Sequence, residues 1–271
     1  MYDETIAKKI ERRLRLEKDL PNAIQNKELF LVYQPQVDSK TKKIIGAEAL
    51  IRWKHPELGV ISPYEFIPIA EETPQIIPIG NWTLQEACQQ IKRWHTSGYS
   101  HLKIGVNLSA KEFEQEDLIQ TISNILTNTG LPANSLDLEL TERIAMIDEK
   151  ETLSKLKTLK KYGIQISIDD FGTGYSSLAY LPIYPIDTLK IPREFITMTE
   201  TSDDGKEIIK TIISLANTLK MSVIAEGVET KEHLSFLQKN KCKFIQGYYY
   251  SKPINEDEFS TLLKKGVRYN H

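Results

Sequence analysis

From residue 102 onward the chain alternates short apolar runs with stretches of helical periodicity. Strand-like runs fall at "LKIGVNLS" (102–109), "SLDLELTE" (135–142), "IQISIDD" (164–170), "IDTLKI" (186–191), "SVIAEGV" (222–228) and "KFIQGYYY" (243–250). Helical patterns separate most of them, at 112–127, 150–161, 206–219 and 230–239, and "NEDEFSTLLKKG" after the last run predicts a capped helix. After 186–191 the connection is expected to stay extended before its helix begins. Such repetition dictates parallel strands, because each helix is the crossover that carries the chain back to the same end of a sheet.

Two earlier runs, "LFLVYQPQV" (29–37) and "IIGAEALIRW" (44–53), flank the short polar "DSKTKK". Parallel neighbours need a crossover of about a dozen residues, so these two must be antiparallel. The count is then eight strands with the first reversed. This predicts an α/β fold, a modified (β/α)8 TIM barrel with an antiparallel first strand; a doubly wound open sheet is the alternative. The 271 residues suit one such barrel or two ordinary domains, and no repeat, low-complexity tract or linker divides them. Ahead of the strands, "DETIAKKIERRLRLEKDL" (3–20) places Ile6, Ile10 and Leu14 at helical spacing until Pro21 interrupts. Residues 1–24 are therefore expected to form an N-terminal helix, either a cap or the end of a linker from an upstream sensory or cyclase domain. Residues 25–271 are expected to form the main domain.

Charge narrows the partners. The 35 basic and 37 acidic residues are interleaved, giving a net charge of −2, which argues against a nucleic-acid polymer and against a polybasic membrane anchor. No apolar run approaches the roughly 18–20 residues of a membrane span. The first twenty residues are charged rather than signal-like. Cys88 and Cys242 are too few and too distant to form a disulfide framework, so a reducing, cytoplasmic setting is expected.

Acidic and amide residues recur at the strand ends: Glu48, Asn107, Glu139, Glu142, Asp169, Asp170, Glu226 and Gln246. A closed barrel gathers the carboxyl ends of its parallel strands at one mouth, so these residues are expected to converge. Any one alone is an ordinary cap or turn residue. Lys190 alone is an ordinary surface lysine, and tyrosines 248–250 alone are ordinary strand residues. Together the carboxylates pose a problem, because buried charges need counter-charge. Lys190 and Arg52 supply two positive charges, and one or two divalent cations would neutralise the rest. None of the five histidines and neither cysteine falls in these motifs. A set of hard oxygen donors points to Mg²⁺ or Mn²⁺ rather than structural zinc.

The strings "YQP" (33–35), "EALIR" (48–52), "VNLS" (106–109), "ELTE" (139–142), "DDFGTGYSSL" (169–178), "LKI" (189–191), "AEGVE" (225–229) and "QGYYYSKP" (246–253) occur in order. They resemble the EAL-domain family of cyclic di-GMP phosphodiesterases over roughly residues 25–265. The resemblance implies a barrel with an antiparallel first strand, and hydrolysis of cyclic di-GMP to linear pGpG with two Mg²⁺ or Mn²⁺ ions. By the same resemblance, Glu48, Asn107, Glu139 and Asp169 would hold one metal. Asp169 would be shared with a second, which Asp170 also ligates, with Glu226 nearby. Lys190, Glu226, Glu48 and Asp169 would form the catalytic group. Gln34, Arg52, Gln246 and Tyr248 would face the substrate, Gln246 by orienting a water. Glu142 would anchor the loop 171–181, which the family uses in metal binding and in coupling a homodimer. The alternative is a receptor that holds cyclic di-GMP without cutting it; such receptors typically lack several metal ligands that this chain keeps. One position departs from the pattern. The family usually has Asp two residues after the strand-end lysine, as in "KID", where this chain has Pro192.

Overall fold

The computed structural model describes residues 2–145, 149–174 and 180–267. Its strands are β1 (Leu29–Asp38), β2 (Ile44–His55), β3 (Gly59–Ile61), β4 (Lys103–Leu108), β5 (Leu136–Thr141), β6 (Gln165–Asp169), β7 (Thr188–Ile191), β8 (Ser222–Ala225) and β9 (Phe244–Gln246). All but β3 close into an eight-stranded barrel. β1 is antiparallel to both of its neighbours, β2 and β9, while β2 and β4 through β9 run parallel. The reversed first strand follows from its short connection to β2. β3 hangs antiparallel on the far end of β2 and has no counterpart among the expected strands.

The helices are α1 (Tyr2–Asp19), α2 (Pro63–Glu72), α3 (Ile76–Thr96), α4 (Ala110–Glu114), α5 (Leu118–Thr129), α6 (Glu142–Ala145), α7 (Glu149–Lys161), α8 (Arg193–Met198), α9 (Asp203–Thr218), α10 (Lys231–Lys239) and α11 (Glu256–Lys265). Among the described residues none is long and apolar enough to cross a membrane. The main core lies between the barrel and these helices. Ile104, Val106 and Leu108 of β4, Leu136, Leu138 and Leu140 of β5, and Ile166 and Ile168 of β6 pack outward against helical side chains such as Leu84, Ile122 and Leu156. Side chains alternate across a strand, so every second residue must then point into the barrel. Those residues are largely polar, and they build the site.

Several expected elements differ in detail. The helix expected at 112–127 is two helices, because Gln115 turns extended (ψ 132°) and ends α4. The Lys155 ammonium donates to the freed carbonyls of Phe113 and Glu114, each at 3.0 Å. The connection after Ile191 is not extended: Pro192 precedes α8 directly. The run 243–250 is a strand only to Gln246. Its tyrosines lie in a turn where the N–H groups of Tyr250 and Ser251 donate back to the Gly247 carbonyl. The stripe Ile6, Ile10 and Leu14 faces outward, with Leu14 60% exposed. α1 is instead seated by Leu16 and by the residue that follows it, Leu20, which join Trp53, Ile61, Phe66 and Ile69. Arg12–Glu65 and Arg15–Glu57 pairs, at 2.7 and 2.6 Å, flank that seat.

The first turn of α4 contains a titratable group held out of water. Glu112 and Ser109 form a capping box, with the Ser109 N–H donating to the Glu112 carboxylate at 2.9 Å. That carboxylate lies buried against Gly80 of α3. Burial raises the Glu112 pKa from 4.5 to about 7, against the Ser109 hydrogen bonds. A raised carboxyl pKa gives stability that is complete below about pH 4.5 and is lost as pH climbs through about 7. Urea unfolding of wild type and Glu112→Gln should therefore agree at pH 4.5. Above pH 7.5 the glutamine variant should be the more stable by about 2–3 kcal/mol.

Candidate active site

The inward residues of neighbouring strands meet in register. Glu48 sits opposite Gln34 on one side and Gly105 on the other, Asn107 beside Glu139, Thr141 beside Asp169, and Gln36 beside Gln246. Lys190 of β7 reaches the centre. Its side chain is 0% exposed, and its ammonium lies 2.5 Å from Glu139, 2.7 Å from Glu226, 3.2 Å from Asp169 and 3.5 Å from Glu48. The ordinary reading of Lys190 as a surface lysine is therefore overturned. Desolvation works to lower its pKa. The fields of Asp169, Glu139, Glu226 and Glu48 outweigh that and hold the group charged, with its pKa well above the usual lysine value.

Amides hold the carboxylates in place. Glu48 accepts from Asn107 Nδ2 at 2.7 Å and from Gln246 Nε2 at 2.5 Å, and Gln246 also donates to Gln34 Oε1 at 3.2 Å. Burial works to raise the Glu48 pKa, but Lys190 and these two amides bring it below the ordinary value. Glu139 and Glu226 go the other way. Burial raises both, aided for Glu139 by the field of Glu48 and for Glu226 by that of Asp169, and Lys190 only partly offsets it. One ammonium cannot neutralise four carboxylates. The deficit is visible as an orphaned atom: Glu139 Oε1 is buried with no hydrogen-bond partner among the described residues.

The adjacent aspartates resolve into one corner. Along a regular strand Asp169 and Asp170 would point to opposite faces. Asp170 instead adopts a left-handed backbone (φ 51°), a conformation Asp tolerates better than most residues, and the strand ends there. One carboxylate oxygen from each of Asp169, Asp170 and Glu226 then lies within 4.8 Å of the others. Burial raises the Asp170 pKa, and the charge of Asp169 adds to it. The donor set is hard oxygen throughout, surplus in negative charge and carrying an unpaired buried oxygen. It fits a divalent cation of the Mg²⁺ or Mn²⁺ class.

Arg52, Tyr248 and Glu142 are the remaining expected residues. Arg52 is half-buried further along β2, its Nη1 donating to the Ile51 carbonyl at 2.8 Å, and burial lowers its pKa. Tyr248 is exposed, with Lys252 over its ring. Glu142 is buried and accepts the Gly172 N–H at 3.2 Å. Residues 175–179 of the 171–181 loop lie outside the described residues. Gly105 went unnoticed at the level of sequence. A Cβ there would stand 2.1 Å from Glu139 Oε1, so glycine is what leaves room for the Glu139 carboxylate. A glycine inside the strand "KIGVNL" was the available signal.

The EAL domain family model matches residues 17–253. The chain belongs to the EAL domain family. It is 40% identical over 257 residues to MucR of Pseudomonas aeruginosa, named a bifunctional diguanylate cyclase/cyclic di-GMP phosphodiesterase, covering 95% of this chain and 38% of that protein. It is 39% identical over 243 residues to the cyclic di-GMP phosphodiesterase NbdA of the same organism, covering 90% of this chain and 31% of NbdA. The chain thus spans about a third of the length of these curated relatives. Among solved structures, the PaMucR phosphodiesterase in complex with c-di-GMP superposes with a TM-score of 0.88 at 41% identity, covering 90% of this chain and 99% of that one. This EAL barrel therefore has the fold expected from its strand count.

Two substitutions test the electrostatic account of the EAL site. Lys190→Met leaves four carboxylates facing one another and should lose about 3–5 kcal/mol of unfolding free energy in urea titrations. Gly105→Ala drives a methyl group into Glu139 and should lose about 1–3 kcal/mol by the same measurement.

Proposed function

We propose that this domain hydrolyses cyclic di-GMP to linear pGpG at the barrel mouth. The observation that carries the reading is the meeting of Glu48, Glu139, Asp169 and Glu226 around a single buried ammonium, with Asp170 beside Asp169 and Glu226. Relatives named as cyclic di-GMP phosphodiesterases, and a solved complex of one with c-di-GMP, support the substrate.

Glu48, Asn107, Glu139 and Asp169 would hold one Mg²⁺ or Mn²⁺ ion, and Asp169, Asp170 and Glu226 a second. Bound there, the ions would screen the phosphodiester's charge and stabilise the charge developing on its oxygens during in-line displacement. The protein's own groups do the rest. Lys190 orients Glu48, Glu139, Asp169 and Glu226 and keeps its proton throughout. Glu226, held 2.7 Å from the Lys190 ammonium, would with it tune the attacking water. The water oxygen bonds to phosphorus and loses its proton to solvent, the bond from phosphorus to the ribose 3′ oxygen breaks, that oxygen takes up a proton from solvent, and the phosphate stays on the 5′ end of pGpG. Arg52 faces the phosphate, Gln34 and Tyr248 face the nucleotide, and Gln246 orients water at the rim. Glu142, through Gly172, anchors the start of the 171–181 loop. A homodimer coupled through that loop belongs to the same reading.

Purified protein given cyclic di-GMP with Mg²⁺ or Mn²⁺ should release pGpG, detected by chromatography. Chelation with EDTA should stop release, and added Mn²⁺ should restore it. Asp169→Asn and Glu48→Ala should each slow turnover by about a hundredfold or more. Unchanged turnover in either variant would place the chemistry elsewhere. Tight binding of cyclic di-GMP with no product would make the domain a receptor.

A further inference from the structure

Glu226 approaches Lys190 from a loop rather than from a strand. β8 ends at Ala225, and the Glu226 N–H makes a hydrogen bond to the Ile191 carbonyl at 2.9 Å. Beyond it the backbone turns through Gly227 (φ 63°). A carboxylate on such a turn is placed only as well as the turn itself is held.

The structure shows what holds it. A Cβ on Gly227 would lie 2.3 Å from Arg193 Cγ, 2.5 Å from Arg193 Cβ and 2.9 Å from Arg193 Cα. The stem of Arg193 therefore rests directly on the Gly227 backbone, and only glycine admits it. The guanidinium then continues to Glu229, with Nη2 2.9 Å from Oε1. On its other side the turn is closed against β9. The Val228 N–H donates to the Gln246 carbonyl at 3.1 Å, and the Tyr249 N–H donates to the Val228 carbonyl at 2.9 Å. The Glu229 N–H donates to His233 Nδ1 at 3.4 Å, while Glu200, just past α8, lies 2.8 Å from His233 Nε2. The segment 193–200 thus braces the turn at two points.

Arg193 is itself well placed to serve as a reference. It opens α8 three residues after Lys190, and the residue between Ile191 and Arg193 is Pro192, whose ring fixes φ at −69°. The lost N–H matters little at the start of a helix. The proline that departs from the family pattern therefore stiffens the span joining the ammonium that receives Glu226 to the arginine that steadies its turn.

We propose that Arg193 is a positioning residue for Glu226: packed on Gly227 and paired with Glu229, it holds the 226–229 turn so that the Glu226 carboxylate meets Lys190 and the Asp169–Asp170 corner. The Arg193–Glu229 pair is largely exposed and by itself contributes little. The packing of the stem carries the effect. The activity arm of the test rests on the phosphodiesterase reading above, and the Mn²⁺ arm does not.

Arg193→Ala and Arg193→Met are compared with wild type in three measurements: Mn²⁺ binding by calorimetry without nucleotide, kcat and KM for cyclic di-GMP, and thermal midpoint. Arg193→Ala should weaken Mn²⁺ binding and lower kcat, each by about 10- to 100-fold, with KM and thermal midpoint nearly unchanged. Arg193→Met keeps the stem and should stay within about threefold of wild type in both. Wild-type behaviour of Arg193→Ala overturns the proposal. So does a methionine variant as impaired as the alanine one, which would transfer the role to the ion pair. A fall in thermal midpoint that tracks the lost activity also overturns it, because the role would then be structural. If wild type binds Mn²⁺ but turns nothing over, the phosphodiesterase reading fails while the Mn²⁺ comparison still decides the role of Arg193.

Discussion

The interior of this barrel is organised around one ammonium. Lys190 has no exposed surface and stands within 3.5 Å of four carboxylates from four different strands or strand ends. Burying a lysine is unfavourable, and so is burying several glutamates; each is tolerable only because of the other. The consequence is geometric as much as energetic. Strands β2, β5, β6 and β8 are linked through charge at their centre as well as through backbone hydrogen bonds. A single flexible side chain with several directed donors suits that role, because it can serve partners on all sides.

The same arrangement explains why the site is left acidic. Asn107 donates to Glu48, Gln246 to Glu48 and Gln34, and Lys190 is shared four ways, so among the described residues Glu139 keeps an unpaired buried oxygen. Glu139, Glu226 and Asp170 all sit above their ordinary pKa, with desolvation as the leading cause and neighbouring negative charge adding to it. These carboxylates offer hard oxygens that one ammonium does not satisfy, a donor set suited to a hard divalent cation, whose binding would compete with protons for them. The preference comes from the protein's own electrostatics, and it agrees with the family to which the chain belongs.

Two kinds of backbone feature make the corner possible. Gly105 leaves space where Glu139 must lie, and Gly227 gives Arg193 a surface to rest on. The left-handed residue Asp170 folds the chain so that two adjacent aspartates serve one corner instead of two faces. Strain and close approach are gathered where chemistry is expected, while the outer face of the barrel packs as an ordinary apolar core.

Much of this was legible in the residues themselves. Period-2 alternation in "KIGVNL", "LDLELT" and "QISID" separates outward aliphatics from inward polar groups, and it is local. The reversed first strand follows from a connection too short to be a crossover. The strand-end acids could be listed by inspection because a barrel's topology sends such ends to one mouth. Other features were decided only by tertiary structure. Lys190 looks like any surface lysine until four strands surround it, since burial is a property of neighbours distant in sequence. The break at Gln115 depends on Lys155, forty residues away, to satisfy the carbonyls it frees. The tyrosines after Gln246 carry strand propensity, yet the chain turns there because Gly247 is pressed against Val228. Local pattern determined most of the elements and the alternating faces of the barrel strands. The charge balance of the site came from side chains that meet only after the barrel closes, because electrostatic coupling depends on distance in space and not along the chain.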